Sequence, residues 1–502
     1  MTTSHSNRWV LLVTVAAGLL LITLDNSVLY TALPTLTREL GASQTQGLWI
    51  INAYPLVMAG LLLGTGTLGD RIGHRQMFLI GLVLFGIASL VAAFSPSANI
   101  LIAARAFLAV GAAAMMPATL ALIRVTFLDE RERNIAIAIW GSLSVVGSAL
   151  GPIVGGFLLE HFWWGSVFLI NVPVVIVAFL STLVVAPKGE TDHSKPWDLV
   201  SSLQALVALS ALVIAIKESA HVGQSWLVPA GAFVVAVVAS ILFVRRQSRL
   251  TFPLLDFSIF RNAAFSSGVM AAAFAMFAIG GIELVTTQRF QLVAGFSPLE
   301  AGLLVSAAAL GSLPTAMLGG AFLHKIGLRI LIAGGLAAAS LAVVLATWGV
   351  THGLGWLIAG MVLSGAGVGA AMSVASTAIV GNAPVHRAGM ASSVEEVSYE
   401  FGSLLAVAFL GSLLSAIYTA SVMLPAGAPE AMRDSMGGAL ALAAQAGADG
   451  QAIIDAASQA FDRGYLTVMY VVAAVLAVGA VITAVLLRNY GPGSQSSIYS
   501  SH

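Results

Sequence analysis

Carboxylate side chains lie inside several of the most apolar stretches of this 502-residue sequence. Asp25 follows an apolar run that begins at Trp9, so at about 1.5 Å per helical residue it lies about 24 Å along a helix from Trp9. An aspartate that deep in a hydrocarbon layer about 30 Å thick costs about 2.5–3.5 kcal/mol on insertion scales. It is therefore expected to face a partner or an internal site; a helix-end aspartate turned to water is the alternative.

A second group of carboxylates lies near residue 400. Glu395, Glu396 and Glu400 fall within about two turns of an otherwise apolar helix. Glu396 and Glu400 are four residues apart and share a helix face, where two close carboxylates compete for protons, as a proton carrier requires. Glu395 points elsewhere and is expected to meet Arg105 or another donor. Glu283 lies in a further apolar segment, where a solvated position at the membrane interface is an equal alternative.

The composition determines the class of protein that holds these groups. Asp, Glu, Lys and Arg make up only 9% of the chain, 58% of its residues are hydrophobic, and its mean hydropathy is +0.95. A globular domain has about 25% charged residues, so these values indicate a protein that crosses the membrane many times. The chain has no cysteine and no P-loop, zinc-protease or serine-hydrolase motif. We therefore expect neither an enzyme nor an ATP-driven pump, and no metal or cofactor.

Apolar runs of about 20 residues predict fourteen membrane-spanning helices, an even number that places both termini on one side. Of the 22 Lys and Arg residues, sixteen fall in the loops and termini of that side, five fall on the other side, and Arg105 lies within a span. By the positive-inside rule, both termini are predicted to be cytoplasmic. The predicted cores are residues 9–33, 47–68, 77–95, 99–123, 135–158, 166–186, 199–217, 226–244, 264–287, 299–322, 328–348, 354–379, 389–417 and 465–487.

The chain also contains an internal repeat. The run from Gly69 to Arg75 recurs in degraded form from Leu323 to Arg329, which predicts two related six-helix halves joined by two linker helices. The long outer loop is expected to carry a short amphipathic helix at the outer surface, or to be a solvated linker. The predicted units are the first half, 1–190; the linker helices, 191–250; the second half, 251–488, with its outer loop 420–464; and a cytoplasmic tail, 489–502.

Charged residues stand at the turn after the second span. Asp70 can pair with Arg71 and Arg75 to form a latch that one conformation makes and another breaks, although positive-inside charge alone is the simpler alternative. The run Gly66-Thr67-Leu68-Gly69-Asp70-Arg71-Ile72-Gly73-His74-Arg75 resembles the signature loop of the major facilitator superfamily, G-x-L-a-D-r-x-G-r-[KR].

The fifth span contains glycines at a spacing of four. Gly147, Gly151 and Gly155 form a smooth groove for a neighbouring helix, and Pro152 removes a backbone hydrogen bond and bends the helix. The stretch resembles the G-x-x-x-G-P-x-x-G-G motif of the antiporter branch of the superfamily. Helix packing without a role in transport is the alternative.

The stretch from Leu24 to Pro34 resembles L-D-x-T-V-x-N-[VI]-A-L-P, a mark of the fourteen-span drug:proton antiporter family. Tyr30 replaces the family's asparagine and adds an aromatic face near Asp25, which suits a cationic aromatic substrate, or is a neutral difference. In the family, the arginine at position 105 belongs to a proton-relay or structural motif, but Leu108 and Ala109 replace its usual Gln-Gly. Acidic residues in the thirteenth span are familiar in the quaternary-ammonium and methyl-viologen pumps of this group.

The resemblance implies an all-α integral membrane protein with the major facilitator fold, two six-helix bundles plus two additional helices. It implies a monomeric, proton-driven exporter of lipophilic mono- and divalent cations in a bacterial inner membrane, with no nucleic-acid partner. A proton-coupled transporter of another solute, such as an amino acid or a lipid, is the alternative. The candidate substrate- and proton-binding residues are Asp25, Tyr30, Glu283, Glu396 and Glu400, and the candidate conformational residues are Asp70, Arg71, Arg75, Arg105, Gly147, Gly151, Pro152 and Gly155.

Overall fold

The computed structural model describes residues 5–188, 191, 197–220, 225–382, 388–423, 430–447 and 450–490, and these residues form helices, turns and loops without a strand. Part of the predicted outer loop and the tail from residue 491 onward lie outside the described residues.

The first half of the chain forms seven helices, of which the sixth is a single turn. The side of the bundle on which α1 begins is called here the terminal side, and the opposite one the far side. The helices are α1 (His5–Leu40), α2 (Gln44–Ile72), α3 (His74–Ala93), α4 (Ala98–Thr126), α5 (Glu130–His161), α6 (Ser166–Leu169) and α7 (Asn171–Val185).

Two linker helices precede the second half, which contains two π-helical segments, Ile330–Gly334 and Ala406–Leu410. The linker helices are α8 (Leu199–Ser219) and α9 (Leu227–Gln247), and the second half comprises α10 (Ala263–Leu292), α11 (Pro298–Ile326), α12 (Gly335–His352), α13 (Leu354–Val380), α14 (Ala388–Leu405), α15 (Gly411–Ser421), α16 (Met436–Ala443) and α17 (Gly450–Leu486).

Each of the fourteen predicted spans coincides with a long helix or with consecutive helical segments. Within the described residues, thirteen helices are long and apolar enough to cross a membrane. The predicted span 135–158 coincides with α5, a 32-residue helix that is not among those thirteen. The all-helical membrane fold expected from the sequence is confirmed.

The internal repeat is visible in how the helices begin and end. Ser43 caps α2 in a capping box with Gln46, and Ser297 caps α11 in a capping box with Glu300. At the other ends of α2 and α11, Gly73 and Gly327 have positive φ angles of 98° and 86°. Both pairs of matching positions are 254 residues apart, the offset of the sequence repeat, so the two halves share their turn geometry as well as their motif.

Each half has its own apolar core. One cluster of buried side chains draws almost entirely on residues 11–186, and another on residues 264–487. A smaller cluster crosses between the halves, where Leu56 of α2 packs with Leu404 of α14 and with Val213 of α8. Helix α8 therefore lies against the seam between α2 and α14.

Polar contacts fix the linker helices to each other and to the core. Arg246 of α9 forms a two-bond ion pair with Asp198, with nitrogen to oxygen distances of 2.9 and 3.1 Å. At the far end of α8, the Lys217 ammonium lies 4.2 Å from the centre of the Trp49 ring of α2. These contacts hold the linker pair at both of its ends.

The outer loop differs from its prediction. The expected amphipathic segment is the start of α17, and its apolar residues Ile453, Ala457 and Phe461 are buried. They belong to the same apolar cluster as Met436 and Ala439 of α16. This face packs against protein instead of lying on the membrane, because α16 covers it. With 37 residues and about 1.5 Å per residue, α17 is also longer than a bilayer core about 30 Å thick.

The turn glycines give a first prediction. Gly73→Ala and Gly327→Ala should each lower the free energy of unfolding by about 1–2 kcal/mol, because a Cβ is strained at positive φ. Thermal unfolding of the purified protein in detergent measures the effect. Gly355→Ala, on α13 and without close neighbours, is the control and should leave stability unchanged or slightly higher. If all three variants had the same free energy of unfolding, the backbone at Gly73 and Gly327 would not require glycine.

Candidate functional site

The deepest charged group in the first half is an ion pair between α1 and α4. Asp25 and Arg105 are both fully buried, and Arg105 Nη1 donates a hydrogen bond to Asp25 Oδ2. Asn171 Nδ2, at the start of α7, donates to Asp25 Oδ1 at 2.8 Å and is 3.3 Å from Ser89 Oγ of α3. Both carboxylate oxygens of Asp25 are thus bonded to protein donors inside the first half.

Helix α2 supplies the rest of the Arg105 environment. Arg105 Nε donates to the Ile50 carbonyl at 3.3 Å, and the guanidinium carbon lies 4.5 Å from the centre of the Tyr54 ring. Neither Tyr54 nor Asn171 is among the candidate residues predicted from the sequence. An asparagine within an apolar span is itself a signal that could have pointed to Asn171, but only the tertiary structure places a ring against the guanidinium.

Of the three carboxylates of α14, Glu395 meets other neighbours than Glu396 and Glu400 do, as their helical spacing predicts. Glu395 accepts hydrogen bonds from Tyr399 Oη at 2.7 Å and from Ser376 Oγ of α13 at 3.1 Å. Glu395 therefore meets donors other than Arg105, which confirms the second of the two expectations for this residue. Glu396 and Glu400 are partly buried, and Glu400 Oε2 is buried without a hydrogen-bond partner among the described residues.

Tyr30 lies where the two halves meet. Its hydroxyl is 3.1 Å from Ser403 Oγ of α14, and its backbone carbonyl accepts a 3.0 Å hydrogen bond from Thr287 Oγ1 of α10. Glu283 lies one turn before Thr287 on α10 and is 8% exposed, so it is buried and not at a solvated interface. The far half of α1 is therefore hydrogen-bonded to two helices of the second half.

The glycines of α5 pack against α1. A Cβ at Gly147 would overlap Thr23, one at Gly151 would overlap Ser27, and one at Gly155 would lie 2.9 Å from Val28. The predicted groove thus receives α1, on the segment that carries Asp25.

The bend of α5 faces the second half. The Pro152 carbonyl lies so close to Gly302 of α11 that a Cβ there would collide with it, and Gly156 lies equally close to Leu299. Helix α5 is consequently held between α1 of its own half and α11 of the other.

The turn between α2 and α3 is held by contacts on the terminal side. His74 Nε2 lies 3.1 Å from Asp70 Oδ1, and Arg75 Nη2 donates to the Leu183 carbonyl of α7 at 2.8 Å. Arg75 thus connects this turn to the end of α7. The predicted latch of Asp70 with Arg71 and Arg75 stays a prediction.

Two related helical halves in a membrane, with buried carboxylates where they meet, are the architecture of a secondary transporter. The chain belongs to the Major Facilitator Superfamily, whose family model matches residues 15–295 and 284–498. It is accordingly a multi-pass membrane transporter and not an enzyme.

Curated relatives match nearly the whole chain. The "Multidrug efflux pump LfrA" of Mycolicibacterium smegmatis is 39% identical over 97% of this chain and 98% of its own length. The "Methyl viologen resistance protein SmvA" of Salmonella typhimurium is 39% identical over 90% of this chain and 93% of its own. A bacterial homologue of the lysosomal transporter Spinster, solved in an inward-facing conformation, has a TM-score of 0.68 over 97% of this chain and 98% of its own; at 18% identity it shows a shared fold.

The close packing of α5 on α1 gives a second prediction. Gly151→Ala should destabilise the protein by about 1–3 kcal/mol, because the new Cβ would lie 2.7 Å from Ser27 Cβ and the helices must separate. Detergent unfolding measures this cost. Gly231→Ala, in open space on α9, is the matched control and should be neutral. A Gly151→Ala protein as stable as its control would show that α5 does not pack on α1 in this way.

The buried ion pair gives a third prediction. Asp25→Leu and Arg105→Leu should each cost about 3–5 kcal/mol, because each leaves one buried charge without its partner. The double variant should cost clearly less than the sum of the two, since it removes both charges. Reversible unfolding in mixed detergent micelles gives the three values. Simple additivity would mean that the two groups do not stabilise each other.

Proposed function

We propose that this protein exports lipophilic cations from a bacterial cell in exchange for protons. The observation that carries the proposal is the position of Glu396 and Glu400. Both lie partly buried on one face of α14, four residues apart and therefore neighbours on the helix surface. An intramembrane carboxylate that forms no ion pair with a protein side chain is stabilised by a proton or by a bound cation, and these two ligands exclude each other.

Competition for one charge is sufficient to couple the two movements. A cation that binds on one side displaces protons from the carboxylates, and protons displace the cation after the two halves have rearranged. No cofactor and no metal takes part, and a single chain contains all the groups required. In this proposal the terminal side faces the cytoplasm, as the distribution of Lys and Arg predicts.

The number of carboxylates bears on the driving force. Exchange of one proton for a monovalent cation is electroneutral and uses the pH gradient alone, about 1.4 kcal/mol per pH unit. Exchange of two protons adds about 2.3 kcal/mol for each 100 mV of membrane potential. Glu283, Glu396 and Glu400 provide enough groups for the second case, which suits export against a potential that holds cations inside.

The relatives support a substrate of this chemistry. The names of two proteins 39% identical to this chain describe one as a multidrug efflux pump and the other as conferring resistance to methyl viologen, an aromatic dication. Tyr30, buried within reach of the Glu283 and Glu400 charges, adds the aromatic surface that binds such cations.

The proposal predicts cation-driven proton release. Acid-loaded inverted membrane vesicles containing the wild-type protein should lose their pH gradient when a mono- or divalent quaternary ammonium is added. Glu396→Gln and Glu400→Gln should reduce this response at least tenfold, because a neutral amide cannot exchange a proton for a cation. Glu39→Gln, an exposed position on the far side, is the control and should respond as the wild type does.

Two outcomes would contradict the proposal in different ways. A wild-type protein that releases no protons with either cation would exclude lipophilic cations as substrates, and an amino acid or lipid would then be tested. Full responses in both α14 variants would instead preserve the substrate and place the exchange at other carboxylates.

A further inference from the structure

The buried polar atoms that have no hydrogen-bond partner among the described residues include Arg105 Nη2, Tyr54 Oη and Glu400 Oε2. The first two are donors and belong to the first half, whereas the third is an acceptor and belongs to the second. Buried polar atoms are satisfied in the great majority of native structures, so each exception requires an explanation.

The three groups lie in one region. The Arg105 guanidinium carbon is 4.5 Å from the centre of the Tyr54 ring. The stretch of α2 that contains Tyr54 lies next to α14, because Leu56 belongs to one apolar cluster with Leu404, one turn beyond Glu400. Ser403, on the same turn, is 3.1 Å from the Tyr30 hydroxyl. Glu400 therefore lies on the part of α14 that meets α1 and α2.

The charges in this region come from three helices. Arg105 of α4 lies against the Tyr54 ring and is hydrogen-bonded to Asp25 of α1, and Glu400 of α14 is the carboxylate of the second half in this region. Glu396, one turn before Glu400 on α14, and Tyr30 of α1, whose hydroxyl is 3.1 Å from Ser403, are further titratable groups of this region.

We propose that Tyr54 is a positioning residue that connects the Asp25–Arg105 pair of the first half to Glu400 of the second half. Its ring holds the guanidinium, and its hydroxyl donates to the Glu400 carboxylate, directly or through one water molecule, when that carboxylate is charged. This inference rests on the proposed function, because it gives Glu400 the role of the group that exchanges a proton for a cation.

Glu400 requires different hydrogen-bond partners in its charged and its protonated state. A charged Glu400 carboxylate requires donors, and Tyr54 Oη and Arg105 Nη2 are two donors of this region that other described residues leave unused. A protonated Glu400 has no charge for these donors to stabilise and carries an O–H donor of its own. When Glu400 of the second half loses its proton, the new charge therefore acts on Tyr54. Tyr54 lies against the buried ion pair of the first half, and α1, α2 and α4 all contribute to holding the guanidinium of that pair.

The test is the pH dependence of cation binding to the purified, full-length protein, with tetraphenylphosphonium as the probe. Tyr54→Phe keeps the ring and removes the donor, so the pH of half-maximal binding should rise by about one unit. Tyr54→Trp, which restores an N–H donor on an aromatic ring, should return the midpoint toward the wild-type value. Tyr465→Phe removes an equally buried hydroxyl beside Thr286 and should leave the midpoint unchanged.

A double variant separates a specific link from a general loss of structure. In Glu400→Gln protein, residual binding should show the same pH dependence whether residue 54 is tyrosine or phenylalanine. A Tyr54→Phe midpoint that coincides with the wild type, or one that still shifts when Glu400 is absent, would overturn the proposal.

The failure of this inference and of the proposed function can be told apart. If the wild-type protein binds no tetraphenylphosphonium at any pH, the cation-exchange function is wrong. Proton uptake by the cation-free protein then provides the comparison for Tyr54. The pH midpoint of proton uptake should differ by about one pH unit between the wild type and Tyr54→Phe, and identical uptake curves would reject the link.

Discussion

The ion pair between Asp25 and Arg105 is the interaction on which the first half depends. Neither side chain reaches solvent, and a buried charge without its partner costs several kcal/mol. The pair joins α1 to α4, Asn171 adds α7, and the Ile50 carbonyl adds α2. Four helices are thereby held by groups whose bonds cannot be released singly without exposing a charge to an apolar interior.

Close contacts between helices add to this electrostatic constraint. The glycines of α5 admit α1 along the same segment that holds Asp25, and the Pro152 carbonyl lies against Gly302 of α11. Small residues allow such contacts where longer side chains would separate the helices. The segment of α1 that contains Asp25 is therefore packed against the helix that meets the second half, so a shift of α1 would be transmitted through these close contacts.

The second half contains the opposite arrangement. Glu395 is satisfied by Ser376 and Tyr399, whereas Glu400 retains a buried oxygen without a hydrogen bond among the described residues. The Asp25 charge is matched within the protein, whereas in the function we propose the charges of Glu396 and Glu400 are matched by a proton or by a bound cation. This difference is the basis of the proposed exchange of a proton against a cation.

The sequence by itself determined the membrane class, the fourteen helical segments and the two-fold repeat. These follow from local properties: apolar run length, capping residues such as Ser43 and Ser297, and turn glycines such as Gly73 and Gly327. It also identified the groups that could do chemistry, because a carboxylate in an apolar run stands out whatever its neighbours are. Which of these carboxylates has a partner could not be read from the sequence. Asp25 meets a residue 80 positions away and another 146 positions away, and Glu400 Oε2 has no hydrogen-bond partner among the described residues. Only the tertiary structure decides such pairings, because they depend on which helix faces are brought together across the bundle.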